Sequence, residues 1–125
     1  MEISLNHTIV YCHDMIASAR FYEKIFGFEF LKVWENFAVV KVNKTLSLDF
    51  RDKGTFTAQH YAFKVSEQQF DKILARIQQN NIAFGPGPEN TSANEINHHY
   101  EGRGVYFKDP NQHLLEIITT DYILD

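Results

Sequence analysis

The 125-residue sequence has one cysteine, Cys12, so no disulfide can form within the chain and no thiolate cluster is available for a structural zinc site. Cys12 lies in an apolar stretch and reads as a buried, inert thiol. There is no cationic excess: 12 Lys and Arg stand against 16 Asp and Glu, for a formal charge of −4, and the cations are scattered. That argues against nucleic acid and against an anionic membrane as partners. No apolar run approaches the about 20 residues that span a bilayer, and Met1-Glu2-Ile3-Ser4 lacks the basic start of a signal peptide. The expected setting is the cytoplasm, and the expected partner a small molecule or another protein. Proline is also scarce, and two of the three prolines fall in Gly85-Pro86-Gly87-Pro88, which breaks regular structure and opens a loop to about Gly102. So long a loop in so short a chain reads as a lid or binding loop, or else as a solvated insertion.

Aromatic residues, by contrast, are abundant: 11 Phe, 6 Tyr and 1 Trp exceed what one small core needs, so some should line a pocket or an interface. The length suits a single domain over residues 1–125, able to bury roughly two-thirds of its unfolded surface. Residues 3–12 read as a strand with His7 at its centre. Asp14 is a candidate N-cap for a helix from Met15 to Phe26 that Gly27 stops. Three short strands follow, at 28–34, 37–42 and 45–51. After the turn at Asp52-Lys53-Gly54, His60 to Val65 is again a strand. Ser66 to Gln69 forms a capping box, and Phe70, Ile73, Leu74 and Ile77 lay down one apolar helical stripe. Strands at 82–84, 103–108 and 113–119 complete the second half, with Asp109-Pro110-Asn111-Gln112 as a turn. The tail from Asp121 to Asp125 is expected to pack loosely, and His13 and His113 to be surface or turn residues.

The spacing from His7 to His60 matches that from Phe30 to Phe84 within one residue, so the halves read as repeats. The expected fold is α+β: two β-α-β-β-β modules, about 3–52 and 58–119, whose curved mixed sheets form a cup.

The closing strand contains the anomaly of the sequence, a carboxylate inside Leu114-Leu115-Glu116-Ile117-Ile118. A buried, unpaired Glu is costly and calls for a cation or a strong hydrogen-bond partner; otherwise this is an edge strand with Glu116 in water. A lone histidine at a strand mouth is most often a buried polar side chain or an exposed one. If the halves are equivalent, however, His7, His60 and Glu116 make a two-histidine, one-carboxylate set, which binds a divalent metal and leaves positions open for substrate. Asp49 is a candidate fourth ligand in one register of the repeat and a surface charge near Arg51 in the register one residue away. His98 and His99 in the long loop could act as acid or base, with Glu116 the third candidate. Tyr106, together with Arg103 and Asn97, could contact substrate, or Tyr106 could be one more core aromatic.

The repeated plan, Leu5-Asn6-His7, His60-Tyr61-Ala62-Phe63 and the run Gly104-Val105-Tyr106-Phe107-Lys108-Asp109-Pro110-Asn111-Gln112-His113-Leu114-Leu115-Glu116 resemble the vicinal oxygen chelate superfamily. That group includes glyoxalase I, the bleomycin- and fosfomycin-resistance proteins and the extradiol dioxygenases. The resemblance implies metal ligands at His7, His60 and Glu116, with Asp49 where the glyoxalase branch has a further acid. It also implies a divalent ion (Fe, Mn, Ni, Co or Zn), a small oxygen-chelating substrate, and a homodimer whose cups are shared between chains. Two departures set the chain apart from the fosfomycin thiol transferases: Ile9 replaces a substrate-binding threonine, and an acidic tail replaces basic residues. The reaction expected first is glyoxalase-like lyase or isomerase chemistry, followed by Fe(II) extradiol oxygenation, then thiol transfer or ligand sequestration of the resistance-protein kind.

Overall fold

The computed structural model describes residues 2–124. By contacts the chain divides into two compact units, one ending at Thr57 and the other beginning at Ala58. The first contains β1 (His7–Cys12), α1 (Met15–Phe26), β2 (Glu29–Trp34), β3 (Phe37–Lys41) and β4 (Ser47–Asp52). The second contains β5 (His60–Lys64), α2 (Glu67–Gln79), β6 (Phe84–Gly85), a 3-10 turn (His99–Glu101), β7 (Gly104–Lys108) and β8 (Leu114–Ile118). Both are β-α-β-β-β, and each sheet is mixed: β1-β4-β3-β2 in one and β5-β8-β7-β6 in the other, with the first pair parallel and the rest antiparallel.

The helices begin where their caps dictate. The Asp14 carboxylate accepts from the Ile16 and Ala17 amides, and the Ser66 hydroxyl from the Gln69 amide. Each such cap contributes about 1 kcal/mol by satisfying amides that have no partner in the first turn. Gly27 ends α1 at φ 80°, a left-handed conformation open to glycine at little cost. α1 lies against the sheet of the first unit and buries Ala19, Tyr22, Ile25 and Phe26 over Val10, Ala38, Val40, Leu48 and Phe50. In α2 the apolar stripe predicted from sequence is buried at Phe70, Ile73 and Ile77.

Three sequence expectations change. β1 begins at His7 rather than near residue 3, because pairing with β4 starts at His7 opposite Ser47, and Ile3 and Leu5 are exposed. The strand expected at 82–84 shrinks to Phe84 and Gly85, since the chain leaves α2 through Asn81 at φ 55° and the Ile82 amide still bonds back to Ile77. A Cβ on Gly85 would stand 2.0 Å from the Asn90 carbonyl oxygen, so only glycine lets the following loop close onto this short strand. His113, expected at the surface, is buried: its Nδ1 accepts from the Gln59 amide at 2.9 Å and its ring meets Tyr61 edge-on. The Asp109 carboxylate prepares that place by accepting from the Asn111 and His113 amides.

Register aligns the halves residue by residue. His7 pairs with Ser47 and Ile9 with Asp49, while His60 pairs with Leu114 and Ala62 with Glu116. Asp49 pairs onward with Val39, and Glu116 with Tyr106. Asp49 therefore holds in the first sheet the place that Glu116 holds in the second. Of the two registers the sequence allowed, the structure takes Leu48-Asp49-Phe50 on Leu115-Glu116-Ile117.

Candidate metal centre

Glu116 lies on the middle of β8, between β5 and β7, so it is not on an edge strand. Only 1% of the residue is exposed. Alternation along β8 turns Leu115 and Ile117 to one face and Glu116 to the other, with Ala62 and Tyr106 beside it.

The side chains of His60, Tyr122 and Tyr106 meet this carboxylate. His60 Nε2 stands 3.1 Å from Glu116 Oε1. The other ring nitrogen, Nδ1, is 2.9 Å from the Leu114 carbonyl, which can only accept, so Nδ1 carries a proton. In a neutral imidazole Nε2 then offers a lone pair, and two acceptors face each other; a proton or a cation between them resolves the conflict. A backbone acceptor fixing one nitrogen so that the other can coordinate is the usual arrangement around a metal-binding histidine. At the second oxygen, the Tyr122 hydroxyl donates to Glu116 Oε2 in a short hydrogen bond of 2.5 Å.

The phenols around Glu116 are held in their protonated form. Burial pushes Tyr122 well above the usual tyrosine range, with the hydrogen bonds to Glu116 and Tyr106 adding to it. The residue as a whole is 45% exposed, but its hydroxyl end is turned inward onto the carboxylate. Tyr106 is raised by the same leading cause, the loss of solvent around its oxygen, while Tyr122 pulls the other way. The Tyr106 ring stacks near His60 with centroids 6.1 Å apart.

In the first unit His7 Nδ1 is 2.7 Å from Asn6 Oδ1, which likewise leaves Nε2 as the available nitrogen. Asp49 shares the face of His7, one residue pair along the strands, and takes a 3.1 Å hydrogen bond from the Ser47 hydroxyl. The alternative partner, Arg51, lies over the Phe37 ring instead. Among the described residues no three His, Cys, Asp or Glu side chains converge on one point.

The long loop comes back onto the second unit. Asn97 pairs with Gly104 through its backbone, donates from Nδ2 to the Pro86 carbonyl and accepts from the His99 amide, so its polar atoms are taken up inside the loop. Arg103 is also engaged: its guanidinium bonds Glu67 and Asp71, each at 2.8 Å, and lies over the Phe70 ring. These contacts account for both residues without a ligand. His99, Tyr100, Glu116 and Tyr122 line a small enclosed void of about 10 Å³. That is near the smallest space that holds one water. His98 is exposed just before the 3-10 turn.

Comparison with known proteins decides the family. The family model described as the glyoxalase/bleomycin resistance protein/dioxygenase superfamily matches residues 4–117. The chain belongs to this superfamily. Among curated relatives of this glyoxalase-superfamily chain is the metallothiol transferase FosB of Lysinibacillus sphaericus (strain C3-41), 28% identical over 122 residues, which cover 93% of this chain and 82% of that protein. Among solved structures, oxidase ChaP-H2 is 46% identical with a TM-score of 0.92, covering 98% of this chain and 97% of that one. Oxidase ChaP-H1 is 42% identical with a TM-score of 0.90, covering 96% and 98%.

Tyr122 is the residue of this superfamily chain that sequence reasoning missed. The tail was expected to be loose, yet Asp121 meets Lys64 at 3.0 Å, Thr120 donates to the Tyr100 carbonyl, and the Tyr122 ring packs 5.1 Å from that of Tyr100. The available signal was a tyrosine among the acids of the tail; Asp125 lies outside the described residues.

Proposed function

We propose that this chain is a metal-dependent oxidase of the superfamily, acting on a small organic substrate through neighbouring oxygens. The observation that carries the metal reading is the His60–Glu116 pair, with the outer nitrogen of His60 fixed on a backbone carbonyl and its inner nitrogen aimed at a buried carboxylate. Oxygen chemistry moves ahead of the lyase or isomerase reading because the two oxidases are 46% and 42% identical over nearly the whole chain.

His60 and Glu116 would bind the ion, and His7 of a second copy in a homodimer would complete the set. Asp49, in the place equivalent to Glu116, is the fourth candidate. The donor types suit Fe(II) well and do not reject Mn, Co, Ni or Zn. When bound, such an ion supplies a Lewis acid for substrate oxygens and, as Fe(II), a one-electron path to dioxygen. Tyr106, kept protonated by burial, donates a hydrogen bond to a substrate oxygen near His60. His99, at the void beside Glu116, moves a proton between the site and solvent, and His98 is the outer alternative.

A second reading, transfer of a thiol, is favoured by the 28% identity to a metallothiol transferase. Oxygen uptake separates the two. Protein reconstituted with Fe(II) under argon is mixed with vicinal diols and ortho-hydroxylated aromatics, or with fosfomycin and a thiol, and an oxygen electrode is read alongside product analysis. Substrate-dependent oxygen consumption is expected, and thiol adduct formation without oxygen uptake would overturn the oxidase reading.

A further inference from the structure

The open face of a sheet is ordinarily wet, yet Glu116 is 1% exposed. What covers it belongs to the same unit: the phenol of Tyr106 from the next strand, the loop at His99 and Tyr100, and the tail after β8. The tail is held at successive residues. Thr119 takes part in two hydrogen bonds with Arg103, its amide donating to the Arg103 carbonyl and its hydroxyl accepting from the Arg103 amide. Thr120 Oγ1 donates to the Tyr100 carbonyl at 3.1 Å. Lys64 holds Asp121 at the surface.

The loop side of this contact is tightly set. Tyr100 and Glu101 both have left-handed backbones, at φ 56° and 60°, which side chains adopt only when neighbours hold them. A Cβ on Gly102 would stand 2.4 Å from Thr120 Oγ1, so the loop and tail touch backbone to side chain. Held in this way, Tyr122 has its ring against Tyr100 and its hydroxyl on Glu116 Oε2.

We propose that Tyr122 is a positioning residue: its hydroxyl ties up Oε2 of Glu116, so that the carboxylate presents Oε1 alone on the His60 side, and the Thr119–Tyr122 tail with Tyr100 is the clasp that keeps it there. This rests on the metal reading above. A carboxylate with both oxygens free can close on an ion with either or both, and so take up a position that a substrate oxygen needs. A phenol donating to one oxygen removes that freedom and fixes the carboxylate plane, as partners behind a ligand commonly do. The phenol also excludes water from the carboxylate without adding a charge of its own.

The test uses the full chain, stripped of metal and titrated with Mn(II), with the bound fraction read by electron paramagnetic resonance. Tyr122→Phe keeps the ring on Tyr100 and removes only the hydroxyl. The expected result is roughly a tenfold weaker Mn(II) dissociation constant together with a changed line shape for the bound ion, while the circular dichroism of the metal-free chain stays that of the parent and its melting temperature falls only by the loss of that one hydrogen bond. Equal affinity and an unchanged line shape would overturn the proposal. Thr120→Val, which removes the tail's hydrogen bond to the Tyr100 carbonyl and leaves His60, Glu116 and Tyr122 in place, should shift affinity in the same direction by a smaller factor, and no shift would remove the clasp from the claim. Failure of the parent itself to bind Mn(II), Co(II) or Fe(II) would sink the metal reading, and the positioning claim is then read without metal. Carboxypeptidase should release the last residues of Tyr122→Phe several-fold faster than those of the parent, and equal release would overturn it.

Discussion

Replacing Glu116 with Gln should strengthen the metal-free fold while weakening metal retention. In the parent, a carboxylate with 1% exposure stands opposite a histidine nitrogen whose partner nitrogen already carries the proton. Gln keeps the shape, and each of its polar atoms finds a partner: the amide oxygen accepts from Tyr122, and the amide nitrogen donates to His60 Nε2. Removing a buried charge recovers several kcal/mol of lost hydration, and weakening the charge-assisted bond from Tyr122 gives back roughly 1 to 3 kcal/mol, leaving a net gain of about 1 to 2 kcal/mol. For a chain of 125 residues each kcal/mol moves the melting temperature by about 3 to 5 °C. Metal-stripped Glu116→Gln should therefore melt about 3 to 10 °C above the parent in chelator at pH 8. With metal present the order reverses, since losing an anionic ligand weakens retention at least about tenfold. The assay is a pair of thermal melts, with and without Mn(II), beside elemental analysis. A Glu116→Gln chain less stable than the parent in chelator would refute the reasoning, because it would mean that the charge is already compensated without an ion.

Other changes test other parts of the account. Asp14→Ala removes the acceptor for two first-turn amides and should lower stability by about 1 kcal/mol, read by urea melts. The Arg103 hydrogen bond holds Glu67 below the ordinary carboxylate range, with Thr119 contributing next. A depressed carboxyl adds stability above its unfolded value that fades as pH falls through the folded one. Arg103→Gln should thus lose stability at pH 7, and the gap to the parent should narrow on acidification below about pH 4.5; a gap that stays constant to pH 3 would count against the link. His7→Ala and Glu116→Ala chains, each deficient in metal, should recover binding when mixed if sites are shared between copies, and titration with Co(II) detects that recovery.

Much of the fold was legible because local chemistry and pattern agreed. Asp14 with Gly27, and Ser66 with the stripe from Phe70 to Ile77, mark helices whose ends the structure reproduces within a residue or two. The repeat was legible from His7 and His60, but its register was not: one slip moves Asp49 to the opposite face, and only strand pairing decides. Glu116 was conspicuous because charge is rare within an apolar run. What hid from the sequence came from contacts far along the chain. The burial of His113 depends on the Gln59 amide, and the capture of Tyr122 depends on how the His99–Glu101 turn meets the tail. Neither contact leaves a periodic trace.

The central claim is that His60 and Glu116 hold a divalent ion, and Co(II) substitution followed by visible absorption tests it most directly. The parent should bind close to one equivalent of Co(II) per chain with a defined ligand-field spectrum. His60→Ala and Glu116→Gln, each folded by circular dichroism, should lose that spectrum or weaken binding at least about tenfold. Binding of Co(II) by both variants with the parent's spectrum and affinity would contradict the account.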